Sequence, residues 1–292
     1  MSVNRKRTRP IITILIAACI FVAITIIVIL SLGYRYISTD NGIKFIGKVQ
    51  DGHPVTGILN YPNGEKARLD YFSNTITFEN GDLYTGNING VYRDGDGTME
   101  YKATGDKYVG KFVDDEITGS GTYTYSNGDV YVGALVDGKM QGYGEMTFVS
   151  GAIYKGSFNE GMRSGFGTYE WPSKAKYEGT FSNDVKNGSG KMTYANGDIY
   201  DGQFVDDKRQ CQGYYRWADG ESYSGNFVNN LIDTREIDSQ GNFTQNDDGT
   251  YKHGAPGVYT FPTKDGDAGR TYTGYFEAGK VIGVDFDIDD MQ

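Results

Sequence analysis

The sequence predicts an all-β protein, an elongated single-layer antiparallel ribbon of β-hairpin repeats, preceded by one transmembrane α-helix. Three observations predict this class: an uncharged apolar segment near the N-terminus, a 23-residue repeat of aromatic and glycine residues, and 42 Gly beside 24 Tyr and 15 Phe but only 6 Pro. Glycine weakens helices and ordinary strand interiors alike. So many glycines beside so many rings indicate rings that lie over positions without a Cβ.

The N-terminal apolar segment predicts a membrane anchor. Residues 11–32 are 22 residues without a charge, which gives roughly 33 Å of helix and crosses a bilayer. The basic cluster at residues 5–9 outweighs Arg35, so the N-terminus is expected in the cytoplasm and the rest outside the cell membrane. We therefore expect a basic cytoplasmic segment at 1–10, a transmembrane helix at 11–33, a linker at 34–42, the repeat array at 43–280 and an acidic tail at 281–292.

Two kinds of N-terminal processing compete with an uncleaved anchor. The residues before Cys19 resemble a lipoprotein cleavage box, but the residues after it remain strongly apolar where a lipoprotein has a polar tether. Small residues at Ser31 and Gly33 suit a signal peptidase, but the apolar run exceeds the roughly 7 to 15 residues of a secretory signal. An uncleaved signal anchor is favoured.

Charge excludes one class of partner. Residues 1–37 hold five basic and no acidic residues, so 23 basic and 38 acidic residues remain after them, a net charge of −15. Such a domain is repelled by phosphate polymers, which argues against nucleic acid and against anionic lipid head groups as ligands. Protein partners and neutral glycans remain open.

The repeat is an aromatic and glycine pattern with a constant period. A tyrosine recurs every 23 residues from Tyr108 to Tyr223, and each begins the motif Y-x-G-x-F or its Leu variant. A glycine doublet follows 11 and 13 residues after each tyrosine, then another ring and a turn signal. The predicted structural repeat residues are Tyr108, Gly110, Gly119, Gly121, Tyr131, Gly133, Gly142, Gly144, Tyr154, Gly156, Gly165, Gly167, Tyr177, Gly179, Gly188, Gly190, Tyr200, Gly202 and Gly213.

Weaker copies flank this regular region on both sides. Tyr84 and Phe45 begin earlier units, and residues 67–82 form a truncated one. After Tyr223 the doublet is lost, and Gly257 and residues 272–276 restore a recognisable ending. An array needs irregular terminal units because its outermost strands must shield an open edge.

Alternation along each strand predicts two faces. In Y-x-G-x-F the Tyr, Gly and Phe share one face and the intervening residues share the other. We expect two strands and two turns per unit, with the Asn-Gly steps as two-residue turns and the polar residues between Phe112 and Gly119 as the longer loop. Eight to nine such units would give a ribbon roughly 75 to 90 Å long. Replacing Gly167 with Val should be among the most damaging changes.

This pattern resembles the MORN (membrane occupation and recognition nexus) repeat, whose motif is close to Y-x-G-x-F/W, G-x-G, an aromatic residue and N-G. The resemblance covers residues 43–232 well and 240–280 loosely. It implies a twisted ribbon of β-hairpins that serves protein contacts, self-association and proximity to lipid. It implies no chemistry, because family members that are enzymes carry a separate catalytic domain.

Candidate chemistry is sparse, and we expect no catalytic residue, metal site or cofactor. The two histidines, His53 and His253, sit in irregular units and are interpreted as loop residues. The pairs Asp114-Asp115 and Asp206-Asp207 are interpreted as solvated turns. The alternating Asp285, Asp287 and Asp289 are interpreted as tail, because the spaced acids, glycine and distal Glu of a calcium loop are missing. Cys211 is interpreted as an inert substitution within the repeat.

The leading functional hypothesis is a membrane-anchored scaffold that mediates protein–protein interaction or self-association at the cell envelope. Exposed aromatic stripes are common interface anchors, and the predicted contact residues are Tyr123, Trp171, Tyr194, Tyr215 and Trp217. The alternative is a cell-wall or glycan-binding module, because Tyr and Trp faces stack on sugars. An enzyme is the third and least favoured class.

Overall fold

The computed structural model describes residues 8–262 and 269–282, which form one helix and 22 strands. The helix α1 spans Thr8–Ser31. The strands are β1 Tyr34–Ser38, β2 Lys44–Gln50, β3 His53–Asn60, β4 Lys66–Asp70, β5 Thr75–Phe78, β6 Leu83–Asn89, β7 Tyr92–Glu100, β8 Lys107–Val113, β9 Glu116–Thr124, β10 Val130–Val136, β11 Lys139–Thr147, β12 Ile153–Asn159, β13 Met162–Glu170, β14 Lys176–Ser182, β15 Val185–Thr193, β16 Ile199–Val205, β17 Lys208–Arg216, β18 Ser222–Val228, β19 Leu231–Ile232, β20 Gly257–Thr260, β21 Thr271–Glu277 and β22 Lys280–Ile282.

The chain divides into two compact units, Met1–Ser126 and Asn127–Gln292. In the first unit each strand from β1 to β9 pairs antiparallel with the next. In the second unit the strands from β10 to β18 do the same, and β20 to β22 complete its ending. The predicted all-β class of antiparallel hairpin repeats is confirmed.

The helix α1 has the length and composition of a membrane span. Its window Ile14–Ser31 has a mean hydropathy of 3.2, and none of it is buried against the rest of the protein. An apolar helix gains nothing from exposure to water, whereas the hydrocarbon layer of a bilayer suits it. Membrane anchors and signal sequences share these properties.

The first half of the predicted linker at residues 34–42 is a strand. Tyr34–Ser38 form β1, which pairs along its full length with β2. The junction with the helix is also bonded, because the Val49 amide donates to the Gly33 carbonyl at 2.8 Å. Pairing satisfies backbone groups that would otherwise be left at the edge of β2. The predicted acidic tail begins inside β22, and residues 283–292 lie outside the described residues.

The two turns of each repeat are the reverse of those predicted. The segment between Phe112 and Gly119 contains a two-residue turn, Asp114 and Asp115, whose φ angles are 49° and 74°. Two consecutive positive φ angles are the signature of a type I′ hairpin turn. The Asn-Gly steps lie in five-residue connections such as residues 194–198, where only the glycine, Gly197, has a positive φ. Asp and Asn tolerate the left-handed region well enough to supply both residues of the tight turn.

The core of each regular repeat is a tyrosine ring that lies over two paired glycines. Tyr154 is fully buried, and Gly156 on its own strand is the register partner of Gly167 on the next. A Cβ built on Gly167 would lie 2.6 Å from Tyr154 Cζ, so no side chain fits beneath the ring. The Tyr154 hydroxyl donates to the Ser157 carbonyl at 2.9 Å. The equivalent, fully buried rings are Tyr84, Tyr108, Tyr131, Tyr177, Tyr200 and Tyr223.

Phenylalanines connect neighbouring repeats of this core. Phe181 packs edge-on against both Tyr154 and Tyr177, with centroid separations of 5.2 and 5.1 Å. Phe204 makes the same contact with Tyr177 and Tyr200. Edge-to-face pairs at this separation are favourable beyond the area that they bury. Each repeat is therefore stabilised through its neighbour, as expected of a repeat protein.

The first glycine of each doublet has a different function from the second. Gly119, Gly142, Gly165 and Gly188 have φ angles of 67°, 68°, 74° and 97°, whereas the second glycines lie under the rings. The pairing register of each hairpin shifts beside these residues, which is the geometry of a bulge with a left-handed residue.

At this bulge position the last regular repeat carries Cys211, whose φ is 59°. A non-glycine residue in this conformation costs about 1 kcal/mol. Cys211→Gly is therefore expected to raise the free energy of unfolding by about 1 kcal/mol, measured by urea denaturation. An unchanged or lower stability would show that the thiol makes a compensating contact.

The ending of the second unit replaces the lost doublet with a distant glycine. A Cβ on Gly257 of β20 would lie 2.7 Å from Tyr223 Cζ, so Gly257 occupies the place of the second doublet glycine. Residues 233–256 form an insertion that contains three isolated bridges. Asp233 and Arg235 form a buried ion pair at 2.6 Å within it, and Arg235 lies over the ring of Phe243.

Candidate interaction surface

A row of half-buried rings marks the five-residue turns of the second unit. We call Phe148, Trp171, Tyr194 and Trp217 the ring row; they recur every 23 residues and are each neither buried nor fully exposed. The amide of Trp171 donates to the Ala175 carbonyl at 2.9 Å, and that of Trp217 donates to the Glu221 carbonyl at 2.9 Å. The turn therefore holds the backbone of each ring. Rings fixed in this way lose little entropy on binding.

Further aromatic residues pack beside the ring row. Tyr169 lies with its centroid 4.5 Å from Trp171 and 5.7 Å from Phe148. Tyr215 does the same for Trp217, at 4.7 Å, and for Tyr194, at 6.0 Å. These contacts are tilted, with interplanar angles of 36° to 53°. The row therefore presents ring edges and partial faces to solvent.

The structure places the five predicted contact residues in three settings. Trp171, Tyr194 and Trp217 lie in the ring row with part of each ring accessible. Tyr123, in the first unit, is half-buried and its hydroxyl donates to Asp106 at 3.0 Å. Tyr215 is only 8% exposed and its hydroxyl donates to Asp198 at 2.7 Å. The structure therefore places Tyr215 beneath the surface, where it supports its neighbours.

Opposing effects set the pKa of Asp198, whose carboxylate accepts the hydrogen bond from Tyr215. Burial raises the pKa of Asp198, but hydrogen bonds from Tyr215, Asn196 and the Ala218 amide lower it by more. The pKa of Asp198 therefore lies below its usual value. Burial and the hydrogen bond to Asp198 both raise the pKa of Tyr215. Asp198 is thus ionised and Tyr215 neutral near pH 7, which suits a charge-assisted hydrogen bond.

Cationic side chains, each surrounded by aromatic rings, lie within the repeats, and the sequence analysis did not predict them. We call them the caged cations. The Arg163 guanidinium carbon lies 5.7, 5.3 and 5.3 Å from the ring centroids of Tyr154, Tyr169 and Phe181. Its Nε donates to Asp184 Oδ1 at 2.9 Å, so the tight turn of the next repeat holds it. Equivalent pairs are Arg93 with Asp115, Lys186 with Asp207, and Arg209 with Asn230. Cation–π contact and ion pairing act together here.

A signal for these cages was present in the sequence. Each cation lies nine residues after a repeat tyrosine, and its Asp or Asn partner lies seven residues after the next regular tyrosine. Where the ninth residue is Met140, the partner position is Gly161, so the two positions change together. Within a single chain this correlation identifies contact between adjacent repeats.

Two shallow cavities lie in the second unit. The first, of ≈ 270 Å³, lies beside Cys211 and Arg235. The second, of ≈ 190 Å³, lies between Trp171 of the ring row and Lys186. The second is lined by Arg163, Tyr169, Phe181, Asp184 and Asp207 in addition to those two residues. Rings, cations and carboxylates at one place suit a partner that offers both apolar and polar groups.

Several of the side chains considered for catalysis or metal binding are paired with other side chains. Within residues 8–262 and 269–282, no group of three or more His, Cys, Asp and Glu side chains is placed to hold a metal ion. The predicted turn aspartates Asp115 and Asp207 pair with Arg93 and Lys186. His253 contacts Thr234 Oγ1 at 2.9 Å. Asp285, Asp287 and Asp289 lie outside the described residues.

The family comparison identifies the regular repeats. The profile described as MORN repeat matches five consecutive segments, residues 108–130, 131–153, 154–176, 177–199 and 200–222. Residues 108–222 are similar to MORN repeats in five consecutive units. The predicted resemblance is confirmed over these residues, which include the ring row from Phe148 to Trp217. The MORN match does not extend to the weaker units on either side.

Comparisons with individual proteins add no functional argument. No curated protein sequence matches the chain. Among solved structures, the TCP10 domain of Danio rerio CPAP in complex with a STIL peptide is 12% identical, covers 72% of this chain and 96% of its own, and has a TM-score of 0.34. The SAS-4 (dCPAP) TCP domain of Drosophila melanogaster in complex with a proline-rich motif of Ana2 is 15% identical, covers 57% and 86%, and has a TM-score of 0.30. Scores this low support no inference about this chain.

Proposed function

We propose that this chain is a membrane-anchored MORN-repeat scaffold that binds a protein partner, or a second copy of itself, through the ring row. It acts by docking and carries no catalytic activity of its own. The observation that carries the proposal is the ring row, in which half-buried rings are held at constant spacing by backbone turns and aromatic supports. Interface hot spots are enriched in Trp, Tyr and Arg in such settings.

The anchor in this proposal is α1. Its window Ile14–Ser31 is apolar and makes no buried contact with the protein. The basic cluster at residues 5–9, against Arg35 directly after the apolar segment, favours a cytoplasmic N-terminus with the repeats outside. The scaffold would then act at the cell envelope.

A protein partner is favoured over a glycan by the packing of the rings. Sugar stacking uses broad, open ring faces, whereas Trp171 and Trp217 have one side packed at a tilt against Tyr169 and Tyr215. The neighbouring Lys186, over the Trp171 ring, and its partner Asp207 add paired charges that suit the polar rim of a protein interface. The glycan-binding module is the alternative outcome of the same test.

The test is crosslinking of the full-length anchored protein in its native cells, followed by identification of the adducts. The variant Trp171→Ala/Trp217→Ala is expected to reduce the specific protein adduct at least about tenfold, since two hot-spot rings are lost. The matched control is Tyr143→Ala/Phe166→Ala, which removes two rings that are 72% and 64% exposed on the opposite face of the sheet. The control should leave the adduct unchanged, and both variants should melt close to the wild type.

Two results would contradict the proposal. An adduct that survives in the tryptophan variant but is lost in the control would place docking on the opposite face. Saturable binding to purified cell wall that depends on Trp171 and Trp217, without a protein adduct, would support the glycan alternative.

A further inference from the structure

The first three strands carry apolar side chains on a face that nothing in the described structure covers. Tyr36 of β1, Ile46 of β2 and Ile58 of β3 are register partners in one row across the sheet. They are 61%, 55% and 43% exposed, and Tyr34 beside them is 45% exposed. The other face of these strands and of β4 carries the buried core, including Phe45, Leu59, Ala67 and Leu69. The exposed row is therefore not required for the interior packing of this unit.

Basic side chains surround this row. Lys44 and Lys48 flank Ile46 on the same face of β2, and Arg68 of β4 is the register partner of Ile58, with Lys66 beside it. All four are exposed. Strands β1 to β4 contain a single acidic residue, Asp70, whose carboxylate accepts a hydrogen bond from the Phe72 amide at 3.1 Å. We call Tyr34, Tyr36, Lys44, Ile46, Lys48, Ile58, Lys66 and Arg68 the basic apolar face.

The junction with α1 fixes where this face begins. Only Leu32 and Gly33 separate the last residue of α1 from the first residue of β1. The junction is bonded on both sides: Arg35 Nη1 donates to the Leu30 carbonyl at 2.7 Å, and Val49 donates to Gly33 at 2.8 Å. Two residues reach at most roughly 7 Å, which is about the depth of one lipid headgroup layer. If α1 spans a bilayer, β1 and β2 begin within the headgroups.

We infer that the basic apolar face lies against the anionic headgroup layer of the membrane that α1 spans. This inference rests on the anchoring step of the proposed function and adds a second membrane contact, made by strands outside the matched MORN repeats. Tyr34, Tyr36, Ile46 and Ile58 contact the boundary between headgroups and acyl chains, where amphipathic rings are favoured. Lys44, Lys48 and Arg68 contact lipid phosphates.

The inference differs from the sequence-based argument against anionic lipid, which used the net charge of −15 over residues 38–292. Screening limits the influence of distant charges to about 10 Å at ordinary ionic strength. The charges on the face itself therefore decide the contact. Lys44, Lys48 and Arg68 outnumber Asp70 there, and Lys66 is paired with Glu79 at 3.9 Å.

The experiment places a fluorophore on the face in the full-length protein. Cys19 and Cys211 are replaced by Ala, and a single bimane is attached at Ile46→Cys or, as the matched control, at Tyr143→Cys on the exposed side of β11. The proteins are reconstituted into vesicles of phosphatidylcholine and phosphatidylserine, with brominated acyl chains as quenchers. We expect quenching of bimane fluorescence to be at least about threefold stronger at position 46 than at position 143. A fluorophore held in the headgroup layer lies nearer the brominated acyl chains than one in solvent. The additional change Lys44→Glu/Arg68→Glu should lower the quenching at position 46 in these anionic vesicles.

The outcomes separate the two proposals. Equal, weak quenching at both positions, in a chain that alkaline carbonate fails to extract, overturns the lipid contact and leaves the anchor standing. Extraction of the chain by carbonate overturns the anchor and the lipid contact with it. Strong quenching at position 46 that the Glu substitutions do not alter overturns the role of the basic residues.

Discussion

Gly167→Ala is expected to lower the free energy of unfolding by about 3 kcal/mol. The added Cβ would lie 2.6 Å from Cζ of the Tyr154 ring. The ring cannot move away from it, because the ring is fully buried. Phe158 and Phe181 hold it edge-on from two sides, at 5.1 and 5.2 Å. Gly167→Val should cost more, since its two methyl groups need further space. Urea denaturation of the full-length protein in detergent measures the change.

The control for this prediction is Gly254→Ala. A Cβ there meets no atom nearer than 3.9 Å, and the backbone of Gly254 is not in the left-handed region. Its stability should stay within about 0.5 kcal/mol of the wild type. Equal stability of the two variants would show that the tyrosine ring does not depend on the missing side chain.

Asp115→Gly is expected to lower the free energy of unfolding by about 3 kcal/mol, because it leaves the largely buried Arg93 guanidinium without its carboxylate partner. Arg93 and Asp115 side chains are 16% and 12% exposed, and Asp115 Oδ1 accepts from both the amide and the Nε of Arg93, at 2.9 and 3.0 Å. Glycine suits the positive φ of 74° at this turn position, so the loss comes from the carboxylate. Thermal and urea unfolding measure it.

The chain supplies its own controls for this pair. Asp115→Asn should be milder, because Asn230 already accepts from the Arg209 amide at 2.8 Å in the equivalent position. Arg93→Met/Asp115→Gly reproduces the native combination of Met140 and Gly161. The double variant should therefore cost less than the sum of its two single changes by at least about 1 kcal/mol. Strict additivity would show that the cation and the carboxylate act independently.

The sequence predicted the repeat unit because its physics is local and periodic. A ring and a glycine two residues apart must share a face of a strand, and the constant spacing from Tyr108 to Tyr223 fixes the pairing of successive strands. The turns were predicted wrongly because Asn-Gly was taken as the only two-residue turn signal. Pairs such as Asp114-Asp115 and Asn183-Asp184 adopt the same left-handed conformations.

The interaction surface was only partly predictable from sequence. The positions of Trp171 and Trp217 at the turns follow from the period, but the burial of Tyr215 depends on Asp198, a residue of the preceding turn. The caged cations join residues about 21 positions apart, so their contact emerges only when adjacent hairpins are paired. The basic apolar face was hidden because a net charge averages over the whole chain.

The central claim is that tyrosine rings lie directly on glycines of paired strands, and one measurement tests it most directly. Glycine-selective 13C labelling of the full-length protein in nanodiscs would report the Hα shifts of all glycines by NMR. The account predicts strong upfield ring-current shifts for Gly144, Gly167, Gly190 and Gly213, each of which lies under a ring. Turn glycines such as Gly138 and Gly161, with no neighbouring atom within 4 Å of a built Cβ, should show ordinary shifts. Equal shifts in the two groups would contradict the account.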